Sequence, residues 1–297
     1  MNKAKLVRLA TYASVFIATT LFILKVVAWQ QTGSVSILAS LLDSFVDIIA
    51  SVMIVIAVQI AQTPADTEHR FGHGKAEPLA ALAQSVFIMG SAGYLVFYAV
   101  DRMLHPQAIL EVETGLIIMS LSLFVTLGLI AFQHYVIKQT NSTAIRADSL
   151  HYVSDVLANI LVILGLWLSH IEWLDPLLAV AIALWILRSA TLIAKDASNQ
   201  LLDRELSDEM RLQIQTIILE TPDVRGFNDL RTYQSGPNRF IQFDLELDDE
   251  LTLAESHYIT EQVTMALKAS FEQIDVMIHQ EPVSLKHDKA HHTWGRS

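Results

Sequence analysis

The sequence predicts a membrane protein with six transmembrane helices and a C-terminal cytoplasmic α/β domain. Hydrophobic residues make up 52% of the chain and charged residues only 17%, against about 25% charged in an ordinary soluble domain. The apolar residues fall in blocks of roughly 20, the length that an α-helix needs to cross a bilayer. After Lys195 the composition changes, because 19 of the 31 acidic residues but only 9 of the 20 basic residues follow it. We therefore expect a membrane domain over residues 1–200, a soluble domain over 201–285 and a disordered tail over 286–297.

The apolar blocks define the predicted spans. They are Thr11–Trp29, Ser36–Ala61, Pro78–Val100, Gly115–Ile137, Ala144–Leu168 and Pro176–Ala194. Lysine and arginine are concentrated at the N-terminus and in the loops on the same side, so the positive-inside rule places both termini in the cytoplasm. Lys25, near the outer end of the first span, is expected to extend to the membrane interface.

Two classes of site are excluded by composition. The chain has no cysteine, so neither disulfides nor thiolate metal sites can form. The formal net charge is −11, and no basic patch of the kind that binds nucleic acid is present.

Residues 207–281 predict a domain with the order α-β-β-α-β. A helix begins at Ser207, and a strand follows near Val224–Gln234. Apolar and polar residues then alternate over 241–247, which is the period of a half-buried strand. Thr252–Glu255 fits a capping box at the start of a second helix, and a last alternating strand is centred on Val276. The pattern predicts one sheet covered by two helices.

Two pairs of ionisable residues lie near the middle of predicted spans, where charge is costly. They are Asp43 and Asp47 in the second span and His151 and Asp155 in the fifth. Each pair has i, i+4 spacing, which places both side chains on one helix face, and such intramembrane residues are functional candidates by default. Polar contacts between helices are the alternative interpretation. Three carboxylates and one imidazole at matching depth suit tetrahedral Zn²⁺, and their protonation would expel the metal.

The sequence resembles the cation diffusion facilitators, close to the bacterial homodimeric zinc and ferrous-iron efflux members. The two intramembrane pairs carry the resemblance, together with the stretches Pro64–Asp66, His73–Glu77, Leu201–Arg204 and His279–Pro282. It extends from about Ala10 to Pro282. The resemblance implies proton-coupled efflux of divalent cations by alternating access. It also implies a homodimer in the lipid of the bacterial inner membrane.

The loop after the second span contains Asp66, His69 and His73, three further candidate ligands. Taken alone, this sequence is that of an ordinary polar loop. All three positions match a second metal site in the resembled family, so the resemblance favours a metal site here as well.

The resemblance implies a third metal site, in the cytoplasmic domain, with ligands Asp244, His257, His279 and Glu281. Asn228 stands where the family has a histidine, so we expect weaker metal binding than in the family. An acidic dimerisation domain without tight metal is the alternative. The family also implies that Lys75 and Asp203 interlock the protomers near the membrane surface; two solvated charges are the alternative.

The predicted function is export of Zn²⁺, with Fe²⁺, Cd²⁺ and Co²⁺ left open as cargo, by a transporter that is not an enzyme. A membrane-bound metallohydrolase is a rival class, but no His-Glu-x-x-His motif is present, and the sequence shows no spare base near the four ligands. A metal sensor is a second rival, but it has no need of four ionisable ligands at mid-membrane.

Overall fold

The structure, a computed structural model, describes residues 3–32, 35–104, 113–167 and 174–285. Within these ranges the structure does not describe every side chain. The side chains left out are those of residues 28–29, 31–32, 35–40, 42–43, 98–99, 102–104, 113–121, 158–159, 161–167, 174–176 and 285. The tail over 286–297 and the side chain of Asp43 therefore lie outside the described part of the chain. The chain divides into two compact units, Met1–Ser198 and Asn199–Ser297.

Six long helices run through the first 201 residues, as predicted. They are α1 (Lys3–Thr32), α2 (Val35–Ala61), α3 (Ala76–Leu104), α4 (Glu113–Thr140), α5 (Thr143–Trp167) and α6 (Leu174–Leu201). Several extend past the predicted spans, most of all α1 at its start and α6 at its end. The reason is that polar residues continue these helices beyond the apolar stretch, and hydropathy alone does not detect them.

The helices have the properties of membrane spans. Among the residues that the structure describes, α1, α2, α3 and α6 each contain a segment long and apolar enough to cross a bilayer. The first part of α4 and the last part of α5 fall outside the described side chains. Phe16, Phe97 and Phe124 are more than 70% exposed on the helix surfaces, as expected of side chains that contact lipid rather than water.

Two clusters of buried side chains hold the helices together. One joins the helices α1 to α5 and includes Ala10, Ile54, Val136 and Ile145. The other joins α3, α5 and α6, mostly through alanines such as Ala81, Ala147 and Ala190. Small residues allow helix backbones to approach closely, which is the main source of packing energy between helices in lipid.

The second unit has the predicted order α-β-β-α-β. Its elements are α7 (Asp208–Glu220), β1 (Gly226–Ser235), β2 (Asn238–Leu247), α8 (Leu253–Ser270) and β3 (Ile274–Pro282). Ser207 caps α7, and Thr252 with Glu255 forms the predicted capping box at the start of α8. A short 3-10 turn, Val283–Leu285, follows.

The three strands form a sheet in the order β1-β2-β3, with β1 antiparallel and β3 parallel to β2. Phe243 and Leu245 of β2 are fully buried against Ile218 of α7 and Val263 of α8. Because side chains alternate across a strand, Asp244, which lies between them, points to the opposite face of the sheet together with Gln242 and Glu246.

Candidate metal centre

Three ionisable side chains converge between α2 and α5. Asp47 Oδ1 lies 3.1 Å from His151 Nε2, and Asp155 Oδ2 lies 3.8 Å from the same nitrogen. One ligand atom from each residue lies within 4.8 Å of the other two. His151 is buried, with 6% of its surface exposed, whereas both carboxylates are partly exposed. The backbone of α2 carries Asp43 one turn before Asp47.

These separations match the coordination of a small divalent ion. Ligand bonds of 2.0–2.1 Å in a tetrahedral zinc site place neighbouring ligand atoms about 3.4 Å apart. The two distances to His151 lie on either side of that value. The ring of Phe87 packs edge-on against His151 with centroids 6.0 Å apart, so one side of the imidazole is apolar. Both distances to His151 thus lie within a few tenths of an ångström of the separation in a zinc site.

A buried carboxylate that the sequence analysis missed lies one turn from His151. Asp148 of α5 is fully buried and accepts hydrogen bonds from Ser14 Oγ of α1 (2.7 Å) and Gln133 Nε2 of α4 (2.8 Å). Tyr152, also on α5, is hydrogen-bonded to Ser51 of α2 at 2.8 Å. One feature of the sequence could have identified Asp148 as a neighbour of the site: it precedes His151 by three residues, which places both side chains on one side of the helix. These contacts fix α5 against three other helices.

Lys25, which the sequence led us to expect at the membrane interface, contacts a buried side chain of α2. Lys25 Nζ donates a hydrogen bond of 2.7 Å to Ser44 Oγ, and Ser44 is 2% exposed. Ser44 lies on α2 between Asp43 and Asp47. The ammonium group is therefore held at the depth of the candidate site, because the partner hydroxyl lies there.

The loop between α2 and α3 brings together Asp66, His69 and His73, as the sequence analysis expected. Asp66 lies 3.7 Å from His69 Nδ1 and 3.4 Å from His73 Nε2, and the three can share one ion by geometry. The backbone N–H of His69, followed by that of Glu68, donates to Asp66 and holds the pKa of this carboxyl below its usual range. Gly72 has φ +80°, a conformation that favours glycine.

In the second unit, three of the four candidate ligands share one face of the sheet. Asp244 is paired in register with His279, and their side chains approach to 3.4 Å. The amide of Asn228 donates to Glu281 Oε2 at 2.9 Å and to Glu246 Oε1 at 3.4 Å. Asn228 thus connects two carboxylates by hydrogen bonds at the position where the resembled family has a histidine.

His257 does not join this set within one chain. It lies exposed on α8, which packs on the other face of the sheet through Ile259 and Val263. A site that includes His257 together with Asp244 would therefore need a second copy of the chain. Of the residues predicted to interlock protomers, Lys75 immediately precedes α3 in the first unit, and Asp203 follows α6 in the second.

The comparisons with known proteins agree with the resemblance over nearly the whole chain. A family model described as the cation efflux transmembrane domain matches residues 11–202, and one described as the cytoplasmic domain of cation efflux proteins matches 206–283. The cation-efflux pump FieF of Pectobacterium atrosepticum is 49% identical over 95% of this chain and 94% of its own. The protein of the same name from Shewanella oneidensis is 48% identical over 94% and 95%.

A third relative, the cation-efflux pump FieF of Klebsiella pneumoniae, is 46% identical over 96% of both chains. The match of two consecutive family models accounts for both units of the structure, a membrane unit and a C-terminal cytoplasmic one. The chain belongs to the cation diffusion facilitator family of cation efflux proteins.

Proposed function

We propose that this chain exports divalent metal ions, Zn²⁺ in the first place, from the cytoplasm in exchange for protons. The observation that carries the proposal is the convergence of Asp47, His151 and Asp155 in the middle of two membrane helices. Asp43 completes the set as fourth ligand, since it precedes Asp47 by one helical turn. The high identity to proteins named cation-efflux pumps supports the same function.

The ligand types account for the exchange. Metal binding requires ionised carboxylates and neutral imidazole, so loading releases protons and protonation expels the metal. A site that opens alternately to the two sides of the membrane therefore couples metal export to proton import. His151 supplies the nitrogen ligand that favours zinc over harder ions such as Mn²⁺. Iron, cadmium and cobalt remain candidate cargo on ligand type.

The other elements have supporting roles in this proposal. The protein acts as a homodimer in the bacterial inner membrane with both termini in the cytoplasm, and Lys75 and Asp203 interlock the protomers. Asp66, His69 and His73 bind a second, more exposed metal ion, which fits a regulatory site better than a transport site. Asp244, His279 and Glu281 form a weaker cytoplasmic site, to which the partner protomer contributes His257.

Zinc uptake into inside-out vesicles tests the proposal. Uptake should be faster when the lumen is more acidic than the medium, and lumenal protons should leave as zinc enters. A protonophore should remove the acceleration, and Asp155→Ala should abolish uptake, while Asp101→Ala, at an exposed aspartate of α3, should not. Zinc flux without proton movement across several pH gradients would indicate a channel or uniporter. Absence of flux would favour a sensor.

A further inference from the structure

A lysine ammonium group lies against the stretch of α2 that carries the candidate metal ligands. Lys25 of α1 reaches Ser44 with a hydrogen bond of 2.7 Å, and Ser44 is almost completely buried. In the sequence Ser44 follows Asp43 directly and precedes Asp47 by three residues. Asp47 in turn contacts His151 at 3.1 Å.

The direction of the Lys25 side chain towards Ser44 needs a physical cause, since a lysine in a membrane helix normally extends its flexible chain to the polar surface. Holding a charged group inside the membrane costs several kcal/mol in isolation. A neutral serine hydroxyl offsets only a small part of that cost. Negative charge in the same stretch of helix offsets more of it, and α2 carries an aspartate directly before Ser44 and another three residues after it.

We infer that Lys25 is a built-in counter-ion of the transport site, which lowers the affinity of the site for metal and favours its release. The inference rests on the proposed function. Without metal, the ammonium group balances part of the negative charge of the carboxylates. With metal bound, the two positive charges repel each other, so the metal is held less tightly than the same ligands alone would hold it.

The effect has a predicted size and sign. A unit positive charge within one side-chain length of a divalent ion lowers its affinity by at least about tenfold at the effective dielectric of a partly buried site. Lys25→Met removes the charge and keeps the length and apolar stem. It should bind zinc at least about tenfold more tightly at the transport site, and zinc release should become slower. Lys25→Arg keeps the charge and should retain the weaker binding.

The experiment is a zinc titration of the full-length protein against a competing chelator. His69→Ala and His279→Ala in the background weaken the loop and cytoplasmic sites. Lys25→Met and Lys25→Gln serve as two independent neutral variants, each verified as folded by size exclusion, with Lys25→Arg as the matched control. Higher zinc affinity in the neutral variants, together with slower zinc efflux at saturating zinc, supports the inference.

Three results overturn it in different ways. If Asp155→Ala abolishes the titrated site but the neutral variants bind zinc as the parent does, Lys25 is no counter-ion and the transport site stands. If Asp155→Ala leaves zinc binding unchanged, the proposed site fails and the inference fails with it. A tighter site in Lys25→Arg as well would show that the length and shape of lysine matter rather than its charge.

Discussion

Replacing Asp47 is the most direct perturbation of the candidate transport site, because this carboxylate contacts His151 and belongs to the candidate ligand cluster. Its Oδ1 lies 3.1 Å from His151 Nε2, whereas Asp155 Oδ2 lies 3.8 Å from that nitrogen. Asp47→Ala removes a ligand and the contact that orients the ring. Asp47→Asn keeps the size of the side chain and one acceptor oxygen but removes the charge. The two variants therefore separate loss of charge from loss of positioning.

The expected magnitudes follow from the contacts. Removing an outer partner of a metal ligand costs about 10–100-fold in affinity, so Asp47→Asn, which weakens a direct ligand, should cost at least about tenfold. Asp47→Ala should cost at least about a hundredfold, or about 2.7 kcal/mol, because His151 also loses its partner. Zinc flux at limiting zinc should fall in the same order.

The assay is zinc flux into proteoliposomes, with the initial rate measured as a function of zinc concentration. Asp101→Ala serves as the matched control, since Asp101 is an exposed aspartate on a neighbouring membrane helix, outside both ligand clusters. The oligomeric state of each variant is checked by size exclusion before reconstitution. Wild-type flux in both Asp47 variants at limiting zinc would refute the assignment. An equal loss in Asp101→Ala would show that removing any acid from these helices impairs the protein.

Four further predictions follow from the same contacts. His151→Asp leaves an all-oxygen site and should raise the ratio of manganese to zinc transport in competition assays; an unchanged ratio would argue against selection by ligand type. The pKa of Asp66 is held below its usual range, so this carboxylate stays ionised between about pH 6 and about pH 8; Asp66→Asn should therefore lower the zinc affinity of the loop at both pH values in a titration against a chelator, and unchanged affinity would argue against Asp66 as a ligand. The isolated residues 199–285 should dimerise without metal and bind at most one zinc tightly per protomer in calorimetry, whereas two tight ions would contradict the role given to Asn228. Thr252→Ala removes the cap of α8 and should cost about 1 kcal/mol, seen as a melting temperature lower by roughly 4–8 °C.

Structural features that depend only on residues close together in the sequence could be predicted from it. Alternation over residues 241–247 predicted a strand with one buried face, and Phe243 and Leu245 are indeed fully buried. The capping box at Thr252 follows from local hydrogen bonding and needs no tertiary information. The i, i+4 spacing of His151 and Asp155 likewise fixes a shared helix face before any packing is known.

Features that depend on distant parts of the chain were missed or misjudged. The direction of Lys25 is decided by a hydroxyl on another helix, 19 residues away in the sequence, and its flexible stem permits either outcome. Asp148 obtains its donors from Ser14 and Gln133, 134 and 15 residues away. The position of His257 on the far side of the sheet follows only when the packing of α8 is known.

Two kinds of acidic residue on α5 can be told apart by their hydrogen-bond partners. Asp148 is fully buried, and one oxygen receives two hydrogen bonds from fixed neutral groups on α1 and α4. Its other oxygen, Oδ1, is buried without a hydrogen-bond partner among the described residues, so the contacts of Asp148 hold helices together but satisfy only one side of the carboxylate. Asp155 instead lies two turns further on, remains partly exposed and turns towards the same imidazole as Asp47. Carboxylates that converge on one imidazole from separate helices have mutual repulsion to offset, and a divalent cation offsets it better than any neutral donor. The same residue type thus connects helices at position 148 and faces the candidate ligand cluster at position 155.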